Sequence, residues 1–466
     1  MLLYSVKVIF LDNYRYLISA HNDKLAASAT GRPRFFVRTY GCQMNSRDSE
    51  KLAGLLTQLG YDTAINQEDA DLVLYNTCCV RESAEDRIFG NLGRLKRTKV
   101  DKPGLIVGVC GCMTQQPEVA EKIKKSHKYI NLVFGTSNRH RLPEFLWHVI
   151  ETGKQVIDIT EDEGLPELDG VPVTTREFPH KAGVNIMYGC DNFCSYCIVP
   201  YVRGREKSRP IADVLQEVQE LAADGVKEIM LLGQNVNSYK GESGSIFPEL
   251  LRQVSNIPGI ERIRFMTSHP KDFSNELIRA VAELPKVCKS VHLPIQSGST
   301  RILQDMNRKY TQEDYLNLVQ RLRHAVPGLA ISTDIIVGYP GETEEDFLAT
   351  LEVVRSVRFS TAFTFLYSKR SGTPAAERTD VIPQKTVSER YDRLVAELSP
   401  ILLEINEAKI GHTLDVMVEE VIGSDYKGRT DDHSLVHFTS ESVLQQGDIV
   451  SVRITDAKTF YMTGKA

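Results

Sequence analysis

The feature that most constrains the fold is a switch of hydrophobic period, between about 2 and about 3.6 residues, that repeats along two stretches of the chain. In the first stretch, strand-like runs at 35–40, 71–75, 104–109 and 130–134 alternate with helical runs at 48–59, 83–97 and 117–125. This βαβαβαβ order predicts an open, mostly parallel sheet with covering helices. In the second, strands are expected at 182–188, 228–232, 262–266, 290–293, 330–337 and 362–366, and helices at 212–223, 275–284, 312–324 and 344–357. Six such strands fall short of the eight-fold form, so a partial (β/α)6 barrel is expected. A long amphipathic helix is predicted at 385–409; from Leu414 the pattern turns to alternating strands with Gly-marked turns, the signature of a small antiparallel β-barrel. The fold class is α/β. The expected organisation is a leader of unclear role at 1–33, an N-terminal domain at 34–150, a linker at 151–180, a barrel domain at 181–400 and a C-terminal domain at 401–466.

Composition removes several alternatives. With 56 Lys+Arg against 61 Asp+Glu, the net charge of −5 gives no global nucleic-acid signature, so any such surface must be local. Nine cysteines in 466 residues are too sparse for a disulfide scaffold. No apolar run approaches the roughly 18 residues of a membrane span. The first ten residues lack a basic leader, and Asp12 and Asp23 argue against a transit peptide, so a cytoplasmic protein with reduced thiols is expected.

The cysteines are grouped. Cys190, Cys194 and Cys197 form a CxxxCxxC motif just after the first strand of the second series. Three thiolates on one loop can hold three irons of a four-iron four-sulfur cluster and leave the fourth iron open to a small molecule. A zinc site is the competing reading, but zinc motifs usually pair two CxxC-type halves, and no fourth Cys or His is near. A second group is spread out. Cys42, Cys78 and Cys112 each follow a predicted strand, at separations of 78 − 42 = 36 and 112 − 78 = 34 residues, one βα unit each. Strand C-termini of a parallel sheet share one edge, so the three thiols can converge. Isolated core or catalytic cysteines are the plainer alternative. Spacing alone leaves Cys78 and its neighbour Cys79 both open, while Cys110 falls inside an apolar run and is expected to be buried.

Around the CxxxCxxC motif, residues 185–370 resemble the radical S-adenosylmethionine (SAM) superfamily. The wider match runs in order from about residue 35 to 466. Its N-terminal part carries Thr39-Tyr-Gly-Cys42-Gln-Met-Asn45, Asn76-Thr-Cys78, Arg81-Glu82 and Gly111-Cys112-Met113. Its central part carries Tyr201-Val-Arg203-Gly-Arg205-Glu-Lys-Ser-Arg209, His292-Leu-Pro-Ile-Gln296-Ser-Gly298 and Asp334–Glu342. Together these resemble the radical SAM methylthiotransferases, and the tail resembles a TRAM domain, an RNA-binding barrel. The resemblance implies two 4Fe-4S clusters, a radical SAM cluster on Cys190, Cys194 and Cys197 and an auxiliary one on Cys42, Cys78 and Cys112. It breaks the tie in favour of Cys78, although Cys79 itself departs from the family pattern.

The resemblance further implies conversion of N6-isopentenyladenosine, beside the anticodon of tRNA, to its 2-methylthio derivative. Two S-adenosylmethionine molecules would be used per turnover, with a reducing electron donor and a sulfur donor. Relatives that act on threonylcarbamoyl-adenosine or on an aspartate of a ribosomal protein are the alternatives, and Gln43-Met-Asn45 favours the isopentenyl type; a non-catalytic iron–sulfur RNA-binding protein is the reading from a different class. Tyr196 stands where the superfamily places an aromatic near the adenine. Gln234, Asn235, Ser268, Gln296, Ser297 and Gly338, at the ends of predicted barrel strands, are further expected SAM contacts. For tRNA the expected contacts are Arg203, Arg205, Lys207 and Arg209, with Lys427 and Arg429 in the C-terminal domain, although such runs are as often simply solvated faces. From Glu407 onward the chain has 10 acids against 6 Lys+Arg, so an RNA role there rests on the resemblance and not on charge. A monomer without membrane attachment is expected.

Overall fold

The computed structural model describes residues 2–27, 31–79, 82–160, 176–241, 244 and 246–466. It contains two compact units, Met1–Arg176 with Ile198–Lys207, and Glu177–Cys197 with Ser208–Ala466. The segment that follows Cys197 thus belongs to the first unit.

The first unit holds α1 (Leu2–Ala26), β1 (Arg34–Thr39), α2 (Gln43–Gln58), β2 (Asp62–Thr63), β3 (Leu72–Thr77), α3 (Glu82–Asp101), β4 (Ile106–Gly111), α4 (Pro117–Ser126), β5 (Leu132–Phe134), α5 (Leu142–Thr152), β6 (Val156–Asp158) and α6 (Val199–Arg203). Its sheet runs β2-β1-β3-β4-β5-β6, with every pairing parallel. All six residues of β3 are buried, as expected of a central parallel strand covered on both faces.

Two expectations are refined. The leader of unclear role, residues 1–33, packs on the first unit: Ile18 is fully buried in the sheet's core, Asn22 Nδ2 donates to the Leu59 carbonyl at 2.8 Å, and His21 packs edge-on against Trp147. The supposed linker 151–180 begins inside the fold, since α5 reaches Thr152, stops at left-handed Gly153, and leads to β6. A three-residue edge strand is too short to show a period. Residues 161–175 and Arg81 lie outside the described residues.

The second unit holds β7 (Lys181–Asn185), β8 (Met187–Tyr188) and, after the return marked by β9 (Lys207–Ser208), α7 (Ile211–Ala223), β10 (Glu228–Leu232), α8 (Phe247–Ser255), β11 (Arg262–Phe265), α9 (Asn275–Glu283), β12 (Ser290–His292), α10 (Thr300–Asp305), α11 (Gln312–Ala325), β13 (Ala330–Val337), α12 (Glu344–Val357), β14 (Thr361–Leu366) and α13 (Gln384–Glu407). Two parallel sheets, β11-β10-β7 and β12-β13-β14, are joined by a parallel bridge between Ile263 and Val287. The six strands follow the predicted partial barrel; α8 and α10 are additions, each short. One apolar core threads the six-stranded wall and its helices, and α13 packs Leu394, Leu398 and Ile401 into it.

Five strands, β15 (Thr413–Ile422), β16 (Asp425–Thr430), β17 (Leu435–Thr439), β18 (Ile449–Ala457) and β19 (Met462–Lys465), close a barrel in the order β15-β16-β17-β19-β18. Its closing pair, β17–β19, is parallel, which corrects the expectation of a purely antiparallel barrel. This barrel docks on the N-terminal ends of β10 and β11: Arg264 pairs with Glu228 at 3.1 Å and donates to the Thr430 and Asp431 carbonyls, while Arg262 donates to those of Arg429 and Asp415.

Candidate functional site: two sets of three cysteines

The CxxxCxxC loop leaves β8 and is held by a distant segment. Ser195 donates its N–H to the Met306 carbonyl at 3.0 Å and its hydroxyl to that of Asp305 at 2.8 Å, and Asn307 Nδ2 donates to the Phe193 carbonyl at 2.8 Å. Within the loop, Cys197 N–H donates to the Cys194 carbonyl at 2.9 Å. Two side chains address the sulfurs directly: Asn192 Nδ2 lies 3.4 Å from Cys190 Sγ, and Arg308 Nη1 lies 3.5 Å from Cys194 Sγ. Arg308 is buried and fixed by the Pro294 carbonyl at 2.8 Å and the Tyr310 hydroxyl at 2.9 Å. Burial opposes its charge, but Tyr310, Tyr196 and Cys194 outweigh this and hold its pKa above the ordinary value. Sequence reasoning missed Arg308 and Asn307 because they lie more than 100 residues beyond the loop they serve.

Tyr196 neighbours this arginine, and burial pushes its hydroxyl pKa up. At the ends of β10 and β11, the Asn237 side-chain amide and the Ser268 hydroxyl are buried without hydrogen-bond partners among the described residues. Orphaned polar atoms at adjacent strand ends fit a polar ligand such as S-adenosylmethionine. Gln234 is half-buried beside them. Other expected contacts are occupied internally. Asn235 bonds Asp272 at 2.7 Å and accepts from the His269 N–H; Gln296, at φ 70, is tied through its backbone to β13. Ser297 is fully buried and accepts from the Ser299 N–H, and the Gly338 N–H donates to Glu342 at 3.0 Å. A Cβ at Gly338 would meet Val387 at 2.7 Å, so that glycine permits close packing of α13. In this structure the Ser297 side chain and Gly338 make internal contacts.

The second set lies wholly in the first unit. Gly41, at φ 110, precedes Cys42 and lies so close to Cys78 that a Cβ would come within 2.7 Å of the Cys78 sulfur. Gly111, at φ 99, precedes Cys112, and a Cβ there would meet the Thr77 carbonyl oxygen at 2.4 Å. Each glycine lets the chain turn sharply past a strand end and bring its cysteine toward the β3 end. Cys79 also enters this site: it packs with Cys112, Ile198 and Val202 in one buried cluster, and the neighbouring Cys112 thiol and burial push its thiol pKa up. Cys110 is fully buried in β4, and burial pushes its thiol pKa up, as expected of a core residue.

Around these thiols lies a buried charged network. The Arg203 side chain, 4 % exposed, donates from Nε to Cys112 Sγ at 3.2 Å and from Nη2 to Asn45 Oδ1 at 2.6 Å and Asp48 Oδ2 at 3.1 Å. Asp48 also pairs with buried Arg139 at 2.6 Å. Asn45 is oriented by the Tyr40 and Thr77 carbonyls, at 2.9 and 2.8 Å. The hydrogen bond from Cys79 and the nearby Arg203 lower the Cys112 thiol pKa against the opposing effect of burial. Two guanidiniums share the Asp48 carboxylate, and buried cations are costly unless anions lie close by. Thiolates of a cluster are such an anion, so the donor set fits an iron–sulfur centre. Among the described residues no three Cys, His, Asp or Glu side chains already form a closed metal-ligand set.

The expected tRNA contacts divide. Arg203 belongs to the cysteine site and is no surface cation. Arg209, 4 % exposed, pairs with Glu217 at 2.6 Å and donates to the Asn185 carbonyl, bracing β7. Both are corrections; a run of basic residues cannot show which of its members find acids inside the fold. Arg205 is exposed and Lys207 half-buried. Lys427 pairs with Glu420 at 2.8 Å and Arg429 with Glu419 at 3.4 Å, each about one-third exposed at 34 % and 32 %.

Among the described residues no helix is long and apolar enough to cross a membrane. Residues 184–354 match the Radical SAM superfamily, and residues 34–135 match Uncharacterized protein family UPF0004. A solved radical S-adenosylmethionine methyltransferase from Kitasatospora setae shares the fold, with a TM-score of 0.53 and 16% identity over 79% of this chain and 89% of that one. A relative from Acetivibrio thermocellus is 50% identical, covering 93% of this chain and 91% of its own length. One from Caldicellulosiruptor saccharolyticus is 51% identical over 92% of each. One from Clostridioides difficile is 46% identical, covering 97% of this chain and 95% of its own. All three are named tRNA-2-methylthio-N(6)-dimethylallyladenosine synthase. With this identity over nearly its whole length, the chain belongs to the radical SAM methylthiotransferase family of these synthases.

Proposed function

We propose that this enzyme installs a methylthio group on the N6-isopentenyladenosine (dimethylallyladenosine) of tRNA, as its relatives' names describe. The observation that carries the reading is the presence, in one chain, of a CxxxCxxC loop beyond a partial-barrel strand and a second cysteine set at the strand ends of a parallel sheet. Cys190, Cys194 and Cys197 would hold one 4Fe-4S cluster, and Cys42, Cys78 and Cys112 the other. When bound, the first cluster with S-adenosylmethionine supplies a radical able to attack an unactivated C–H bond, and the second supplies or relays sulfur.

The chain's own residues hold and shield. Arg308 and Asn192 fix sulfurs of the first set, and the Ser195 and Asn307 bonds set the loop's shape. Asn237 and Ser268 offer unsatisfied polar atoms to the cofactor. General acid–base chemistry alone is inadequate at adenine carbon 2, because no side chain is basic enough to take that proton. Arg205, Lys207, Lys427 and Arg429 remain the proposed phosphate contacts, which position tRNA without reading its sequence. A reductant, a sulfur donor and a cytoplasmic location complete the reading.

The test is to incubate anaerobically reconstituted protein with S-adenosylmethionine, a reductant and tRNA carrying isopentenyladenosine, then to weigh the nucleosides by mass spectrometry. The expected result is a 2-methylthio derivative of that nucleoside. Product found only on threonylcarbamoyl-adenosine, or only on a ribosomal protein, would overturn the reading.

A further inference from the structure

Arg203 presents a problem of charge. It stands six residues after Cys197 in the sequence (203 − 197 = 6), yet its side chain is almost wholly buried in the first unit. Among the described residues its side chain donates to the Cys112 sulfur, the Asn45 amide oxygen and the Asp48 carboxylate. The Asp48 carboxylate is shared, since Arg139 also lies 2.6 Å from it. A packing role alone does not require a guanidinium here, since an apolar side chain fills space without the cost of burying charge. The Nε donor instead addresses the Cys112 sulfur directly, at 3.2 Å.

We propose that Arg203 is a positioning residue of the auxiliary centre: it donates a hydrogen bond to the Cys112 sulfur, compensates the charge of the cluster's thiolates, and thereby raises the centre's reduction potential, with Asp48 acting in the opposite direction. The physical basis is general. Hydrogen bonds to cluster sulfurs and nearby charge are among the main determinants of iron–sulfur potentials, and residues beyond the ligands tune a metal site through them. A positive charge stabilises the more negative, reduced state. Removing Arg203 therefore lowers the potential, and neutralising Asp48 raises it. The inference rests on the two-cluster reading proposed above and assigns within it a role to two residues that are not ligands.

The experiment uses the full-length chain with Cys190, Cys194 and Cys197 replaced by Ala, so that only the auxiliary centre loads. Iron is counted after anaerobic reconstitution, and the midpoint potential is measured by electron paramagnetic resonance during a redox titration. Arg203→Met, Arg203→Lys and Asp48→Asn are compared with the parent. Expected are a more negative midpoint in Arg203→Met, a smaller negative shift in Arg203→Lys, which keeps the charge but loses the planar donor, and a positive shift in Asp48→Asn. An unchanged midpoint in a fully loaded Arg203→Met protein overturns the proposal. If Arg203→Met fails to load iron, Arg203→Lys and Asp48→Asn decide: shifts of opposite sign support the assignment, and unchanged midpoints or shifts of the same sign overturn it. A parent that loads no iron instead removes the auxiliary centre itself, a failure of the two-cluster reading and distinguishable from failure of the Arg203 assignment.

Discussion

The two cysteine sets reach similar chemistry by different routes. Cys190, Cys194 and Cys197 lie within eight residues, on a loop whose shape is fixed by hydrogen bonds with residues Asp305–Asn307. Cys42, Cys78 and Cys112 are separated by whole βα units, and each follows a strand of one parallel sheet, β1, β3 or β4. Both sets nevertheless receive a buried arginine from a remote segment, Arg308 at Cys194 and Arg203 at Cys112. The difference teaches where each site is vulnerable. The first depends on a local loop and its brace; the second depends on the register of a sheet and on glycines that let three strand ends approach.

The largest effect expected is a division of labour between the sets. Cys190→Ala, Cys194→Ala or Cys197→Ala should abolish reductive cleavage of S-adenosylmethionine. Cys42→Ala, Cys78→Ala or Cys112→Ala should spare cleavage and abolish the methylthiolated product, as read by chromatography of 5′-deoxyadenosine and mass spectrometry of nucleosides. A first-set variant cleaving at the parent rate would break the comparison.

Next in size is the pair of arginines. Arg308→Met should lower cofactor cleavage or cluster retention by about 10–100-fold, the usual cost of losing a residue that supports a metal ligand. Iron retention under chelator, measured beside cleavage, checks it. Unchanged values for both would show that the approach to Cys194 is incidental.

Cys79 sharpens the contrast further, because it packs against Cys112 without being an assigned ligand. Cys79→Ala should leave iron content near that of the parent, while Cys78→Ala loses the auxiliary cluster. The reverse pattern in iron analysis would exchange their roles.

The smallest effects belong to the surface. Replacing Arg205 and Lys207 by Ala should weaken tRNA binding and reduce the slope of log affinity against log salt by about 0.7–0.9 for each phosphate that is no longer neutralised. Iron content should not change. An unaltered slope in binding titrations at several salt concentrations would remove these residues from the interface.

What is legible in the sequence follows the same contrast. The CxxxCxxC loop is visible because its ligands are neighbours, and the barrel strands because each carries its own apolar run. β10 and β13 occur at the predicted residues, Glu228–Leu232 and Ala330–Val337. The auxiliary set shows only through its βα spacing, and the choice between Cys78 and Cys79 requires resemblance. Arg203 and Arg209 read as surface cations because charge runs carry no information on burial, whereas Asp48 and Glu217 await them inside the fold. Arg308 gives no local signal. The glycine before Cys42 and the one before Cys112 stand in the motifs themselves, but the need for them becomes clear only from the atoms a Cβ would strike.

The central claim is that one chain builds two separate clusters from two sets of three cysteines. The most direct measurement is iron and acid-labile sulfide per chain after anaerobic reconstitution, on the parent and on full-length chains lacking either set. The account predicts about eight irons in the parent and about four in each triple variant, since each cluster holds four. About four in the parent, with all of it lost when one set is removed and none when the other is, would contradict it.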